Sequence, residues 1–285
     1  MNWIIASLVM FVSSVVMYLF IRKSALLKLP SQYNNLAMFG IPLFVFITIG
    51  LFSKQNFIIP FNYLLAIFII SILFSYLGNV FSLISIERSP NPGYSLVISK
   101  SYVVFTTILS VLFFNSELSI KKGIAILLIV VFSALIMLSQ KSIKKVSNNR
   151  WLFLAFGAFF CWGFLSLASK YMFNLGVGLY VFLSYTYLFV SICILIEMHI
   201  KKMSLKSFVK NPWQFLLIGL ASIGFNLFLF LAIKLAPNVG YVNAINAGSI
   251  SAVTVLAILL FKDEFSLRKL VGVIGVTAGL LMLLI

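Results

Sequence analysis

Apolar runs of about 20 residues follow one another along the whole chain, each long enough to cross a bilayer. Ten can be delimited, at about 2–21, 35–53, 62–86, 92–114, 120–139, 151–173, 176–199, 212–235, 238–261 and 266–285. A lipid-exposed backbone must satisfy its own hydrogen bonds, so helix is the assignment for all ten. The expected fold class is an all-α integral membrane protein with ten transmembrane helices. Only 9% of the 285 residues are charged, against about 25% in a soluble domain. The formal charge of +16 reflects 21 Lys and Arg against five acids. It reads as the basic loops of a membrane protein, because no compact soluble domain is left to hold DNA or RNA. The expected surroundings are a lipid bilayer, with no nucleic acid partner. Cys161 and Cys193 both fall in apolar runs and read as small core residues, not as a disulfide or metal pair. Met1-Asn2-Trp3 lacks the basic leader of a signal peptide, so the first run is expected to persist as a helix.

A second feature is internal duplication. Ser-Pro-Asn-Pro-Gly-Tyr at 89–94 recurs as Ala-Pro-Asn-Val-Gly-Tyr at 236–241, a shift of 147 positions. The same shift places Glu117 on Glu264, Ser119 on Ser266, Lys122 on Lys269, Ser75 on Ser222 and Asn79 on Asn226. About a fifth of the aligned positions match, as expected of two copies of one unit. The longest polar link, Gln140 to Arg150, carries Lys141, Lys144, Lys145, Ser147, Asn148 and Asn149. It divides the chain into residues 1–140 and 150–285, with five runs on each side; Trp3 and Trp151 open the two halves near the interface that Trp prefers. Because five is odd, the second half enters the membrane from the opposite face. The expected arrangement is two inverted five-helix repeats, the design that permits alternating access.

Loop charges give an orientation. Links after odd-numbered runs hold about fifteen Lys and Arg and links after even-numbered runs about five, which places both termini outside.

The repeated turns help locate a site. Pro90-Asn91-Pro92-Gly93 and Pro237-Asn238 combine a turn with a helix start. Runs 3 and 4 are expected to form one antiparallel hairpin, and runs 8 and 9 another. Ser119 and Ser266 read as helix caps, with Glu117 and Glu264 as structural charges beside them. Asn79 and Lys100 each lie about ten residues from the first turn, hence roughly 12–15 Å below the same face. That is close to the middle of a hydrocarbon core about 30 Å thick. Asn226 and Asn246 occupy matching depths from the opposite face, and Asn243 lies one helical turn from Asn246. These residues converge where transporters of this design hold their substrate.

Lys100 is the only charge deep in a run, and its repeat counterpart is Ala247. It reads either as a cation that holds an anionic substrate group, or as a lysine satisfied by Ser101 and Tyr102. Asn79 and Asn226 read either as ligand contacts or as fasteners between helices. Trp162 can line a cavity or pack. Gly272, Gly275 and Gly279 suit close helix contact between halves or protomers, in a monomer or homodimer. The candidate substrate-binding set is Lys100, Asn79, Asn226, Asn243, Asn246, Tyr102 and Trp162.

Catalytic and cofactor signals are missing from the sequence. There is one His, His199, and one Asp, Asp263, with no HExxH, nucleotide fingerprint or Walker loop. No enzyme activity, metal or cofactor is expected.

Ten spans in two halves, with Pro-x-x-Gly before runs 4 and 9 and Glu-x-Ser before runs 5 and 10, resemble the drug/metabolite transporter superfamily, and within it the EamA-like transporters. The resemblance covers the whole chain. Ser116 and Asp263 stand where the family often has Gly, and Trp162-Gly163 matches its Trp-Gly pair, which run 1 lacks. The resemblance implies secondary transport of small organic metabolites, amino acids or anionic solutes among them, through a central cavity lined by runs 3, 4, 8 and 9. It implies a multi-pass protein of a bacterial cell membrane with both termini inside, opposite to the loop charges. Four-span relatives that expel cationic drugs carry a membrane Glu in their first helix; run 1 has none. Phosphate-translocating relatives use basic cavity residues, an arrangement that Lys100 resembles. The alternative function is a non-transporting membrane scaffold or a subunit that flips a lipid-linked substrate.

Overall fold

The computed structural model describes residues 2–89, 92–138, 149–204, 208, 210–263 and 265–285. Its regular structure among the described residues is all helical, and ten helices are long and apolar enough to cross a membrane. In chain order the spans are Trp3–Leu26, Ser31–Phe52, Phe61–Ile86, Tyr94–Phe114, Ile120–Met137, Arg150–Asn174, Leu179–Ile200, Pro212–Leu235, Val239–Phe261 and Leu267–Leu284, here called spans 1 to 10. Their outer faces expose side chains such as Phe44, Leu112, Phe153 and Leu259, as a lipid-facing surface requires. The Pro90-Asn91 part of the first turn, Glu264 and most of the 140–150 link lie outside the described residues.

Capping follows the sequence. Ser119 Oγ accepts from the Lys122 amide and Ser266 Oγ from the Lys269 amide, both at 3.3 Å. Asn238 Oδ1 accepts from the Gly240 amide at 2.8 Å. These bonds satisfy donors that a helix start leaves unpaired.

Two expectations are corrected, and a third feature has no signal in the sequence. The first link is far shorter than the sequence suggested, because span 1 runs on to Leu26 and span 2 begins at Ser31. The extension is held from the side: Gln214 Nε2 donates to the Phe20 carbonyl at 2.6 Å and to Ser24 Oγ at 3.0 Å. Spans 8 and 9 share the tightest link yet make little mutual contact; each packs mainly on spans of the other half. The central cavity comes between them. Lastly, spans 3 and 4 are irregular. Span 3 holds a π-helical segment, Ile70–Tyr76, and span 4 breaks at Ser101 between the helices Pro92–Lys100 and Tyr102–Phe114.

Packing crosses between the halves. Span 1 packs on span 8 and span 6 on span 3; span 1 also meets span 9, and span 6 meets span 4. Spans 2 and 7 pack together, as do 4 and 9, and 5 and 10. Exchanging each span with the one five places away turns each of these contacts into another in the same set, which is compatible with a two-fold relation between halves. The seam between spans 5 and 10 is where Gly272, Gly275 and Gly279 lie. A Cβ on Gly275 would come within 2.1 Å of the Phe132 ring, and one on Gly279 within 3.0 Å of the Ala125 carbonyl oxygen. The small residues therefore serve contact within one chain, between its halves.

Candidate functional site

The break in span 4 sets the position of Lys100. The Ser101 amide bonds back to Val97 at 3.1 Å and Ile98 at 3.2 Å, and the Ser101 carbonyl accepts from Val104 at 3.0 Å, so the helix restarts in a tighter turn. Ser101 Oγ also donates to the Val97 carbonyl at 2.7 Å. Lys100 is thus the last residue of a half-helix, where carbonyl ends favour a cation. Interrupted backbone at membrane depth is tolerated where it borders a cavity. The matching stretch of span 9, around Ala247, is continuous helix. The symmetry breaks here in backbone as well as side chain.

The Lys100 ammonium lies 4.5 Å from the centroid of the Trp162 ring. It lies near the Tyr18 and Tyr102 side chains. Tyr102 lies near the side chain of Asn246, and its ring meets Trp162 edge-on at 6.1 Å. The charge is cushioned by π-faces and hydroxyls. No carboxylate neutralises it among the lining residues of either adjoining cavity.

A deep cavity of about 120 Å³ borders Lys100, Asn79, Asn226, Asn243, Asn246, Tyr102 and Trp162, so all seven sequence candidates surround one space. Span 1 adds Tyr18, and spans 6 and 7 add Ser166, Thr186 and Tyr187. The sequence did not single these out, because Tyr18 and Tyr187 sit in uniformly apolar runs with no counterpart or motif. Thr186 Oγ1 and the Tyr187 hydroxyl are buried without a partner among the described residues. Buried polar groups are seldom left so unless water or a ligand visits them.

The asparagines differ in role. Asn243 Nδ2 donates to Thr106 Oγ1 at 3.1 Å, and Ser166 Oγ reaches Asn243 Oδ1 at 3.4 Å, linking spans 4, 6 and 9. Asn226 Nδ2 donates to the carbonyl and hydroxyl of Ser222, one turn back on its own helix, at 3.0 and 2.9 Å. Asn79 has no such bond among the described residues, although Ser75 repeats Ser222. The π-segment ending at Tyr76 widens the turn between Ser75 and Asn79, so the regular one-turn spacing of span 8 is lost. The twins in sequence are therefore not twins in bonding.

A vestibule of about 560 Å³ continues from the deep cavity and shares Tyr18, Met38, Asn79, Lys100, Trp162 and Asn246 with it. It runs toward the face carrying the ends of spans 1, 3 and 9, past Arg22, Ile86, Leu96 and Val253. That face bears the richer set of basic links. Arg22, on the vestibule wall, is paired with Asp263 at 2.9 Å.

The opposite face is sealed. Asn238 Nδ2 donates to the Thr107 carbonyl at 3.3 Å, and the Tyr241 hydroxyl to the Glu117 carbonyl at 2.6 Å. Lys170 Nζ donates to the carbonyls of Lys234 and Ala236, each at 2.9 Å, fastening span 6 to the end of span 8. Lys122 Nζ lies 4.8 Å from the centroid of the Tyr241 ring. The Gly240 backbone presses on Thr107.

The sequence model of the EamA-like transporter family matches residues 149–285. This half of the chain belongs to the EamA-like transporter family. Its members are membrane transporters of the drug/metabolite type, and with ten spans the chain is a multi-pass membrane transporter of that type. A solved crystal structure, 11% identical, superposes on 98% of this EamA-like chain and 94% of its own length at a TM-score of 0.80, so the two share their fold. No curated protein matches the chain by sequence.

Proposed function

We propose that this chain is a secondary transporter of small organic metabolites, chiefly anionic ones, working by alternating access between two inverted halves in a bacterial cell membrane. The observation that carries the reading is the deep cavity with Lys100 at the break of span 4, continued by a vestibule toward one face, while hydrogen bonds between spans close the other. No metal, nucleotide or other cofactor enters the scheme; the substrate is the only small-molecule partner required, and one chain holds the whole cavity. Lys100, Asn79 and Asn246 contact the substrate, while Asn226 and Asn243 hold the walls.

The residues that seal one face support the mechanism, because the repeat supplies the same residues at the other. Shifting by 147 positions takes Thr107 to Thr254, Gly240 to Gly93, Tyr241 to Tyr94, Glu117 to Glu264 and Lys170 to Lys23. In this state Tyr94 and Lys23 are exposed, and the vestibule reaches between Leu96 on span 4 and Ile250 and Val253 on span 9. In the opposite state Gly93 closes on Thr254, and Lys23 takes up the end of span 3. Each half thus adopts the contacts now made by the other.

The test is a cross-link. With Cys161 and Cys193 replaced by Ser, the pair Gly93→Cys and Thr254→Cys is expected to form a disulfide in membranes and to stop transport until reduced. The sealed-face pair Thr107→Cys and Asn238→Cys serves as the positive control. Free thiols at 93 and 254, under oxidation that joins 107 to 238 and in the presence of substrate, contradict the mechanism.

A further inference from the structure

The geometry points to a substrate class narrower than small metabolites: a monoanion with an apolar body and no amino group. This inference rests on the transport reading above and concerns which solute the same cavity takes.

Charge decides the head group. Lys100 contributes one positive charge, and no Asp or Glu lines either cavity. Arg22, the other cation on the vestibule wall, is already paired with Asp263. A bound monoanion brings the site to neutrality. A zwitterion leaves it at one positive charge, a cation at two, and a dianion at one negative. Uncompensated charge at membrane depth is costly, so the monoanion is favoured over all three. An ammonium beside the carboxylate would also meet Lys100 itself, with amide and hydroxyl oxygens in place of a counter-ion.

Size and lining decide the body. The deep cavity, about 120 Å³, is much the smaller of the two adjoining spaces. It holds a carboxylate and its neighbouring atoms against Lys100, beside Asn79, Thr186 and Tyr187, whose side-chain polar groups have no hydrogen-bond partner among the described residues. Everything beyond the head must extend into the vestibule of about 560 Å³. There Ile21, Met38, Leu83, Leu96, Ile250 and Val253 supply most of the wall, with Ser31, Asn34, Asn35, Ser82 and Ser249 set among them. A short polar solute leaves this apolar surface wet, and a longer apolar or aromatic body covers it. The Trp162 ring, shared by both cavities, lies where the head joins the body.

Matched probes separate the two claims. Phenylpyruvate and phenylalanine share a body but differ at the amine, while pyruvate keeps the oxo-acid head without the body. Direct binding of each radiolabelled probe to the purified full chain is compared with counterflow in proteoliposomes. Phenylpyruvate is expected to bind at least tenfold more tightly than either of the others. Phenylalanine binding equally well overturns the charge argument, and pyruvate binding equally well overturns the apolar body. A protein that exchanges other solutes but binds none of the three overturns this assignment and leaves transport standing. Binding in the expected order without any counterflow upholds the site and contradicts transport.

Discussion

Lys100→Met is expected to abolish exchange of organic anions while leaving the protein as thermally stable as the parent, or more so. The two effects follow from one fact. The ammonium sits at membrane depth over Trp162 with no carboxylate to neutralise it. Its removal takes away an electrostatic cost that insertion scales put at about 2.5–3.5 kcal/mol for a charge at the centre of a lone helix. Tyr18, Trp162 and the half-helix end offset part of that cost, so the expected gain is smaller. Removal also takes away a charged hydrogen bond to the substrate, worth about 1.5–3 kcal/mol, or roughly 10- to 100-fold in affinity. Lys100→Arg keeps the charge but presents a wider planar fork, and is expected to retain only part of the activity. Initial exchange rates in proteoliposomes, alongside melting curves in detergent, check both effects. A structural lysine gives the opposite pattern: a clear fall in melting temperature with exchange of the surviving protein unchanged.

Gly240→Leu is the second large effect, and it acts on the seal rather than the site. A Cβ at this position would lie 2.6 Å from the Thr107 Cα, which is backbone and cannot swing aside. The added side chain forces the start of span 9 away from span 4, against the bonds from Asn238 and Tyr241. Overpacking of this kind costs about 1–3 kcal/mol, comparable to the gap between two conformers of a transporter. The sealed face is then expected to open. A cysteine at position 246, in a chain otherwise free of cysteine, should react with an impermeant thiol reagent applied from that face, at a rate at least tenfold above that of the glycine parent. Coupled exchange should fall by a similar factor. An unchanged labelling rate in a folded, exchanging variant contradicts the seal.

Much of the fold was legible because apolar length is decisive in a membrane. Ten spans, the caps at Ser119, Ser266 and Asn238, and the meeting of Lys100 with Asn79, Asn226, Asn243 and Asn246 around one space follow from spacing and depth. Turn chemistry fixes where a span begins, and the rise per residue then fixes depth. The parts that escaped depend on what a helix meets. Nothing in Ile70–Tyr76 marks a π-segment, and Ser101 is an ordinary residue in an apolar run. The far end of span 1 looked like a basic link until Gln214 supplied partners for it. Asn79 and Asn226 were equivalent as letters, yet Asn226 is tied to Ser222 and Asn79 has no matching bond among the described residues. Tyr18 was invisible because a tyrosine in an apolar helix has no signature of its own.

Counterflow tests the central claim most directly. Proteoliposomes holding the full chain are loaded with unlabelled organic anion and diluted into a trace of the labelled solute, without nucleotide. A two-sided cavity that exchanges its occupant predicts saturable accumulation of label inside, transient and dependent on the internal load. Entry no faster than in protein-free liposomes, across a panel of monoanions, zwitterions and phosphorylated solutes, would contradict the account.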